Sequence, residues 1–338
     1  MTRADVCAGI LWVGATFYAL FGGADFGAGF WDLVAGGAER GERPRALIQR
    51  SLTPVWEANH VWLIFILVVL WTAFPPAFSA VMTTLYVPIA LAAVGIVLRG
   101  SGFAFRKSIV GLSGRRAAGA TFAISSLLTP FFMGAVVGAV ASGNVPADGN
   151  GAPFSSWLEP LPLLTGAMFV ASGAYLSAVF LIGDARRSGE EDLAAYFARR
   201  ALAAAAFAGV AAAFGLVELH AEARYIFDRL IDQGLPLVIL SALCGVGVVA
   251  LLLAEVRGRG PRSQYLRPLA GGAVIAVIWG WGVAQFPYLL PTSLKITEAA
   301  APPDTLAAVI IVFLVAAIVV LPALGLLYWL SQKELLGE

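Results

Sequence analysis

The chain has 338 residues, of which 59% are hydrophobic and 13% are charged, and its mean hydropathy is +0.84. Soluble globular domains usually carry about 25% charged residues. This composition excludes a cytosolic enzyme and a disordered protein, and the net charge of +1 also excludes a nucleic-acid-binding protein. We interpret residues 1–338 as one integral membrane domain.

The apolar residues fall in nine blocks, each long enough to cross the hydrocarbon core as a helix. Backbone polar groups must be satisfied within lipid, and the sequence has no ten-residue alternation typical of a barrel. We therefore predict an all-α polytopic membrane protein with about nine transmembrane helices. The predicted spans are residues 6–30, 54–74, 80–98, 118–141, 161–183, 201–219, 235–255, 268–290 and 305–331.

Lysine and arginine concentrate in the connections that follow alternate spans, and 18 of the 22 lie on one side of the predicted bundle. These are Arg40, Arg43, Arg45, Arg50, Arg99, Arg106, Lys107, Arg115, Arg116, Arg186, Arg187, Arg199, Arg200, Arg257, Arg259, Arg262, Arg267 and Lys333. Cytoplasmic loops carry the excess of Lys and Arg. We therefore predict that the N-terminus lies outside and the C-terminus on the cytoplasmic side.

A weak internal repeat divides the chain. Gly14-Ala-Thr-Phe is followed 36 residues later by Arg50, and Gly166-Ala-Met-Phe is followed 34 residues later by Arg200. We predict two four-helix repeats, approximately residues 1–141 and 161–290, and a final helix at 305–331.

Two connectors on the outer side differ from the other connections. Residues 142–156 read as a loop, and residues 218–234 as either an interfacial helix or an extension of the sixth span.

Asp25 is the first polar residue that a lipid-facing helix would not tolerate. It lies between glycines, and Gly23 and Gly27 form a face of small residues that allows close approach of another helix. Two interpretations remain open. Asp25 is either a buried carboxylate, for protons or cations or as an anchor for a structural Arg, or an acid that reaches water near the end of its helix.

The densest polar cluster is at the start of the second span, where Trp56, Glu57, Asn59 and His60 lie within five residues. One helical turn places His60 beside Glu57. An aromatic belt with a capping acid explains Trp56 and Glu57. It does not explain Asn59 and His60 further into the span, so we favour a functional role for the cluster.

Motifs of soluble catalysts are not found in the sequence, which has no GxSxG, HExxH, P-loop or dinucleotide fingerprint. Its two histidines, His60 and His220, are predicted on opposite sides of the membrane and cannot share a metal. We expect no metal and no haem on this chain, although one His ligating a haem is the open alternative.

Arg99, at the edge of its span, is the expected counter-ion for Asp25 or Glu57.

A proline pair marks a break at the outer end of the eighth span. Pro287 and Pro291 lie in the run AQFPYLLPTS (284–293). Proline lacks the backbone N–H and leaves a carbonyl free, so we expect a bend there, in polar or buried surroundings.

These residues together resemble subunit II of the cytochrome bd-type quinol oxidases. The matching stretches occur in order: GADFGAG (23–29), PVWEANHVWL (54–63) with AFP (73–75), LRGSGFAFR (98–106) and AQFPYLLPTS (284–293). The nine predicted spans, the outer N-terminus and the two repeats also fit that family. Residues 142–265 contribute little to the resemblance.

The resemblance implies a role beside another subunit. In that family subunit I carries haems b and d and the quinol site, and subunit II pairs with it without binding haem. The complex oxidises quinol and reduces dioxygen to water with cytoplasmic protons. By resemblance, Glu57 takes the place of the usual acid of a proton route, with Asp25, Asn59, His60 and Arg99 as further candidates.

The resemblance also implies that Trp62, with Trp56, borders an apolar oxygen route or contacts the partner. A structural quinone or lipid bound here and small accessory subunits are further candidate partners. Two departures put the details of the proton route in question: Ala104 replaces a frequent acid, and His60 replaces a frequent Gln or Glu.

A secondary transporter with a proton- or cation-coupled carboxylate is the competing class, because an intramembrane acid, a repeat and a broken helix are typical of transporters. A transporter needs its polar site near the midplane. The polar residues here gather at the inner end of the second span, which favours delivery of protons to a neighbouring subunit.

Overall fold

The computed structural model describes residues 1–37, 39–52, 56–106, 112–258 and 263–332, with the backbone alone at 52, 56–59, 103–106, 112–117, 263, 328, 331 and 332. Its helices are α1 Arg3–Phe17, α2 Gly23–Leu33, α3 Glu42–Leu52, α4 Trp56–Ala73, α5 Pro75–Thr84, α6 Tyr86–Arg106, α7 Leu112–Ala141, α8 Pro160–Arg187, α9 Glu191–Glu222, α10 Arg224–Asp232, α11 Leu235–Val256, α12 Leu266–Gln285, α13 Ile296–Ala299 and α14 Pro303–Gln332. A π-helical turn, Tyr18–Gly22, joins α1 to α2, a 3₁₀ turn at Ser263–Tyr265 precedes α12, and strands β1 Tyr288–Leu290 and β2 Leu294–Lys295 pair antiparallel.

Within the described residues, seven helical segments are long and apolar enough to cross a membrane, or eight if α4 and α5 form one bent span. The segment that contains α1 and α2 is one of them, and α6 is a shorter apolar helix from Tyr86 to Gly102. The prediction of an all-α polytopic membrane protein is confirmed. The number nine, the orientation and the two repeats stay predictions.

The predicted third span, 80–98, is wrong at its start. The chain bends by 118° between α4 and α5, and Phe74 at the break has φ −139° and ψ 59°. Pro75 and Pro76 open α5, where their missing N–H groups are tolerated, but they cannot continue α4. α5 then ends at Thr84, with Leu85 as its C-cap, so residues 80–84 belong to α5 and the next helix, α6, begins at Tyr86.

The predicted eighth span, 268–290, is wrong at its end. α12 ends at Gln285, and Phe286 turns into extended backbone with ψ 138°. The next residues form the small β1–β2 hairpin, which the apolar run Tyr288–Leu290 did not reveal. The Gln285 side chain donates to the carbonyl of Leu289 at 2.6 Å and holds the hairpin against the helix end.

The centre of the bundle is α8, which packs against α2, α7 and α9. Glycine and alanine line its contacts. In its apolar membrane-crossing stretch 61% of the residues are buried, whereas the corresponding share for α14 is 6%. α2 crosses α8 where Gly27 meets Gly173: a Cβ at Gly27 would overlap the Gly173 carbonyl, and a Cβ at Gly173 would lie 2.6 Å from the carbonyl oxygen of Gly23. These glycines allow the backbones to touch.

The connector at 218–234 contains parts of both predicted alternatives. α9 continues to Glu222, the helix is interrupted at Ala223, and α10 is a separate helix of nine residues. α10 buries Ile226 and Leu230 in a cluster with Leu161 and Ala284. Its apolar face is thus used for packing at the ends of α8 and α12.

α3 is an amphipathic helix between the first two predicted spans. Its Leu47 and Ile48 are fully buried in the main core cluster. On its exposed side, Arg43 bonds to Asp192 at 2.6 Å and Arg50 to Glu190 at 2.6 Å. Hydrogen bonding by Asp192 raises the pKa of Arg43 above its usual value. The helix is therefore attached to the start of α9 by ion pairs.

Candidate functional site

A buried ion pair joins α2 to α6. Arg99 Nη2 lies 2.8 Å from Asp25 Oδ1 and 3.0 Å from the Asp25 carbonyl oxygen, and the residues are 1% and 2% exposed. Arg99 was the expected counter-ion of Asp25 or Glu57, and the structure places it on Asp25. The pair lies inside the bundle, so the interpretation of Asp25 as an acid that reaches water does not describe this structure.

Further contacts enclose the Arg99 guanidinium. Its Nη1 donates to the Ser126 hydroxyl on α7, and Ser126 in turn donates to the Phe122 carbonyl at 2.6 Å. The rings of Phe26 and Phe122 lie 4.9 and 4.5 Å from the guanidinium carbon. A buried pair repays its desolvation only when such additional contacts are made. The surroundings therefore keep both charges in an apolar bundle.

Glycine makes this arrangement possible. A Cβ at Gly29, one turn after Asp25, would overlap the Ser126 hydroxyl and approach Arg99 Nη1 to 3.0 Å. Together with the Gly27 contact to Gly173, this explains why the motif GADFGAG alternates small residues with the acid. Gly23 and Gly27 thus lie at the contact of α2 with α8, and Gly29 faces α7.

His60 of α4 lies next to this pair. Its ring centroid is 5.9 Å from that of Phe26, and the two rings are nearly perpendicular. His60 also interacts electrostatically with Asp25 and Arg99. The structure thus brings together Asp25, His60 and Arg99, three of the five residues predicted for a proton route.

The other two members of that set, Glu57 and Asn59, and also Trp56, have side chains outside the described part of the structure. Their backbone forms the first turn of α4. Trp62 is described: it stacks on Phe17 of α1, with ring centroids 4.4 Å apart, and makes an edge contact to Phe65. Trp62 therefore belongs to an aromatic layer between α1 and α4.

Pro287 and Pro291 lie away from this site, in the hairpin after α12. The helix ends two residues before Pro287, and Pro291 is in the turn between β1 and β2, where its carbonyl accepts from the Thr292 hydroxyl at 2.7 Å. The other end of α12 carries Arg267. The prolines and the Asp25 site are thus separate features.

A second group of ion pairs lies at the ends of α8, α11 and α12. Arg186 contacts Glu255 at 2.6 Å, Arg267 contacts Asp184 at 2.7 Å, and Arg187 also bonds to Asp184. The sequence analysis treated these arginines only as markers of orientation. It also missed Ser126 and Phe122. Ser125, Ser126 and Thr129 within an apolar block were a signal that could have indicated a polar site on α7.

In the parts of the chain that the structure describes, no three His, Cys, Asp or Glu side chains are grouped as a metal site would require. The site contains one carboxylate, one guanidinium, one imidazole and one hydroxyl within a helical bundle. The fold and the site together define a polytopic membrane protein with an ionisable cluster buried among its helices.

Comparison with known proteins gives the family. The family model described as cytochrome bd terminal oxidase subunit II matches residues 4–331. Because this match spans nearly the whole chain, the chain belongs to that family, and it is a subunit of a quinol oxidase, a membrane oxidoreductase. The resemblance noted in the sequence is confirmed, and the secondary-transporter alternative has no remaining support.

Individual relatives agree with the family. Subunit 2 of the cytochrome bd-I ubiquinol oxidase of Escherichia coli K12 is 26% identical over 316 residues, covering 84% of this chain and 80% of the relative. Subunit 2 of a cytochrome bd ubiquinol oxidase of Bacillus subtilis 168 is 24% identical over 295 residues, with coverage of 84% and 80%. A chain in the structure of the bd oxidase from Geobacillus thermodenitrificans superposes with a TM-score of 0.77 at 25% identity, covering 98% of both chains.

Proposed function

We propose that this chain is a haem-free subunit II that pairs with a haem-bearing subunit I in the bacterial cytoplasmic membrane and helps deliver protons and dioxygen to it. In this proposal haems b and d and the quinol site belong to subunit I. The family assignment supports a subunit I partner. The small number of histidines, two in the whole chain, supports the absence of haem from this subunit.

We further propose nine spans in two four-helix repeats plus a final helix, with the N-terminus outside. The basic residues support this orientation, because 18 of 22 fall on one predicted side. The mutual contact of Gly27 and Gly173 supports the repeats, since it joins the first span of each half. Only 6% of the residues in the apolar membrane-crossing stretch of α14 are buried, which supports its role as an added peripheral helix.

The proposed proton route enters at Glu57 and Asn59 and continues through His60 to Asp25 and Arg99. The observation that carries this proposal is the Asp25–Arg99 ion pair. Its two residues are 2% and 1% exposed, and it lies beside His60. A carboxylate and an imidazole can each accept and release a proton. An apolar bundle that needed only an anchor would be more economical with an uncharged contact.

The proposed oxygen route or partner contact lies at Trp62, with Trp56. The stacking of Trp62 on Phe17 and its contact with Phe65 support a continuous apolar layer, which dioxygen can enter more readily than charged species. A structural quinone, a lipid and small accessory subunits remain candidates for binding to this subunit.

The test is Glu57→Gln in the intact complex, with oxygen consumption and haem content measured on the same samples. Gln retains shape and hydrogen bonding but cannot carry a proton, so we expect normal haem content and slower quinol oxidation. Glu57→Asp is the control and should retain substantial activity. A parental rate for Glu57→Gln with full haem, from neutral to alkaline pH, would show that Glu57 is structural.

A further inference from the structure

α7 carries polar or polarisable groups on one face, one turn apart, at Ser126, Thr129 and Met133. Ser126 forms the layer of the Asp25–Arg99 pair, as described above. Thr129 forms the next layer, opposite Gly95 of α6, where a Cβ would overlap the threonine hydroxyl. Because Gly95 is one turn before Arg99, the Thr129 layer continues the ion-pair layer along the α6–α7 seam.

The Thr129 side chain is fully buried in α7, and its hydroxyl is not used within its own helix. It is 0% exposed, and its Oγ1 has no hydrogen-bond partner among the described residues. Thr16 and Thr165 donate to the carbonyl four residues earlier at 2.8 Å, the common solution for a threonine within a membrane helix. Thr129 instead directs its hydroxyl toward the seam. Buried hydroxyls are nearly always paired, with protein or with ordered water.

Tyr18 forms the third layer. It begins the π-helical turn between α1 and α2, a kind of helix irregularity that is frequent at functional sites. Its buried hydroxyl contacts the Met133 sulfur at 3.5 Å, and a thioether is only a weak acceptor. Tyr18 interacts electrostatically with both Asp25 and Arg99. Its hydroxyl therefore retains hydrogen-bonding capacity on the same side of the bundle as the ion pair.

The ion pair itself leaves polar atoms unused. Asp25 Oδ2 and Arg99 Nε are buried and have no partner among the described residues. The distance along α7 from Ser126 to Met133 is about 10 Å, from the rise of 1.5 Å per residue. Hydrogen bonds of about 2.8 Å cannot cover that distance directly, but about three water molecules in series, joined by four hydrogen bonds, can.

We propose that the seam between the π-helical turn, α6 and α7 binds a short chain of internal water molecules, held by Asp25, Thr129 and Tyr18. A bound water needs two to four polar partners, and in this proposal they come from Asp25, Thr129 and Tyr18 together with neighbouring waters. The inference rests on the proposed proton route and extends it outward from Asp25 to Tyr18. Each water in such a chain accepts one proton and releases another, so no charge has to remain on Tyr18.

The experiment is hydroxyl-radical labelling of the intact, haem-loaded complex in H₂¹⁸O by a short X-ray pulse, read by mass spectrometry. Tyr and Met side chains beside bound water become labelled even when they are buried. We expect Tyr18 and Met133 to be labelled several-fold faster than Tyr175, which is equally buried in the apolar core. Labelling of both residues no faster than that of Tyr175 would overturn the water chain.

Thr129→Val supplies the second arm, because it retains the shape and removes the hydroxyl. We expect several-fold less labelling of Tyr18 and Met133, at unchanged haem content. Thr165→Val is the matched control, since the Thr165 hydroxyl is satisfied by its own helix, and it should leave the labelling unchanged. Unchanged labelling in Thr129→Val would also overturn the proposal. A full rate in Glu57→Gln with labelling intact would defeat the proton route and leave the water chain standing.

Discussion

Among the described residues, one ion pair of the first half and one group of pairs of the second half, both at the predicted cytoplasmic side, differ in how far water reaches them. In the first half, the Asp25–Arg99 pair has side chains that are 1% and 2% exposed. In the second half, Asp184 and its partner Arg267 are 23% and 29% exposed, and Arg186 is 26% exposed beside a buried Glu255. The first pair is wholly desolvated, whereas the second group is partly hydrated.

The two groups differ in the free energy that desolvation of their charges costs. Removing two charges from water costs several kcal/mol per ion, and the pair recovers this only through ideal contacts. The second half attaches its helices with pairs that retain water and avoid most of that cost. The first half retains the expensive form next to His60, a pattern that fits the proton route proposed above.

The largest expected effect comes from breaking the buried pair. Arg99→Ala would leave Asp25 without its cation and the Ser126 hydroxyl without its donor, and the loss of one member of a buried pair costs about 3–5 kcal/mol. We expect a severe loss of assembled complex and of thermal stability. The measurement is the yield and unfolding temperature of the purified complex. Normal values for both would contradict the structural importance of the pair.

A steric change beside the pair should have the next largest effect. Gly27→Leu would force α2 away from Gly173, and overpacking of this kind costs about 1–3 kcal/mol. We expect a lower yield of complex. Gly209→Leu is the control, because a Cβ at Gly209 meets nothing within 4 Å. Equal yields for the two variants would argue against a packed face at Gly27.

The hydrated pairs should be less sensitive. Arg267→Ala removes a charge-assisted bond to Asp184, but Asp184 is 23% exposed and keeps Arg187 as a partner, so we expect a cost of about 1–2 kcal/mol. Thermal unfolding of the complex measures it beside Arg99→Ala. A cost equal to that of Arg99→Ala would remove the distinction between the two halves.

The exposed pairs of α3 should have the smallest effect. Arg43 is exposed and bonds to Asp192 and Glu190, and surface pairs of this kind are screened by salt. We expect Arg43→Ala to leave the unfolding temperature and the oxygen consumption unchanged. A marked loss of stability that disappears at high salt would show that the attachment of α3 contributes more than its exposure suggests.

The sequence alone identified the charged residues of the candidate site, because their residue type is unusual within a membrane span. Asp25 and Arg99 were recognisable because a charge in an apolar block must have a partner. Their pairing with each other, rather than of Arg99 with Glu57, could not be predicted, because both acids lie at the same predicted depth. Phe122 could not be recognised, because a phenylalanine is an ordinary residue in a membrane helix, whereas the small polar residues around Ser126 were a usable signal.

The apolar blocks, the scarcity of charge and the distribution of arginine by themselves determined that this protein is a helical membrane bundle, because lipid leaves the backbone no other economical form. Tertiary structure decided the rest. The bend after Phe74 and the hairpin after Gln285 depend on how neighbouring segments satisfy the freed backbone groups. Whether an apolar helix is central, like α8, or peripheral, like α14, depends on the contacts that small residues allow, since lipid and protein interior are equally apolar surroundings.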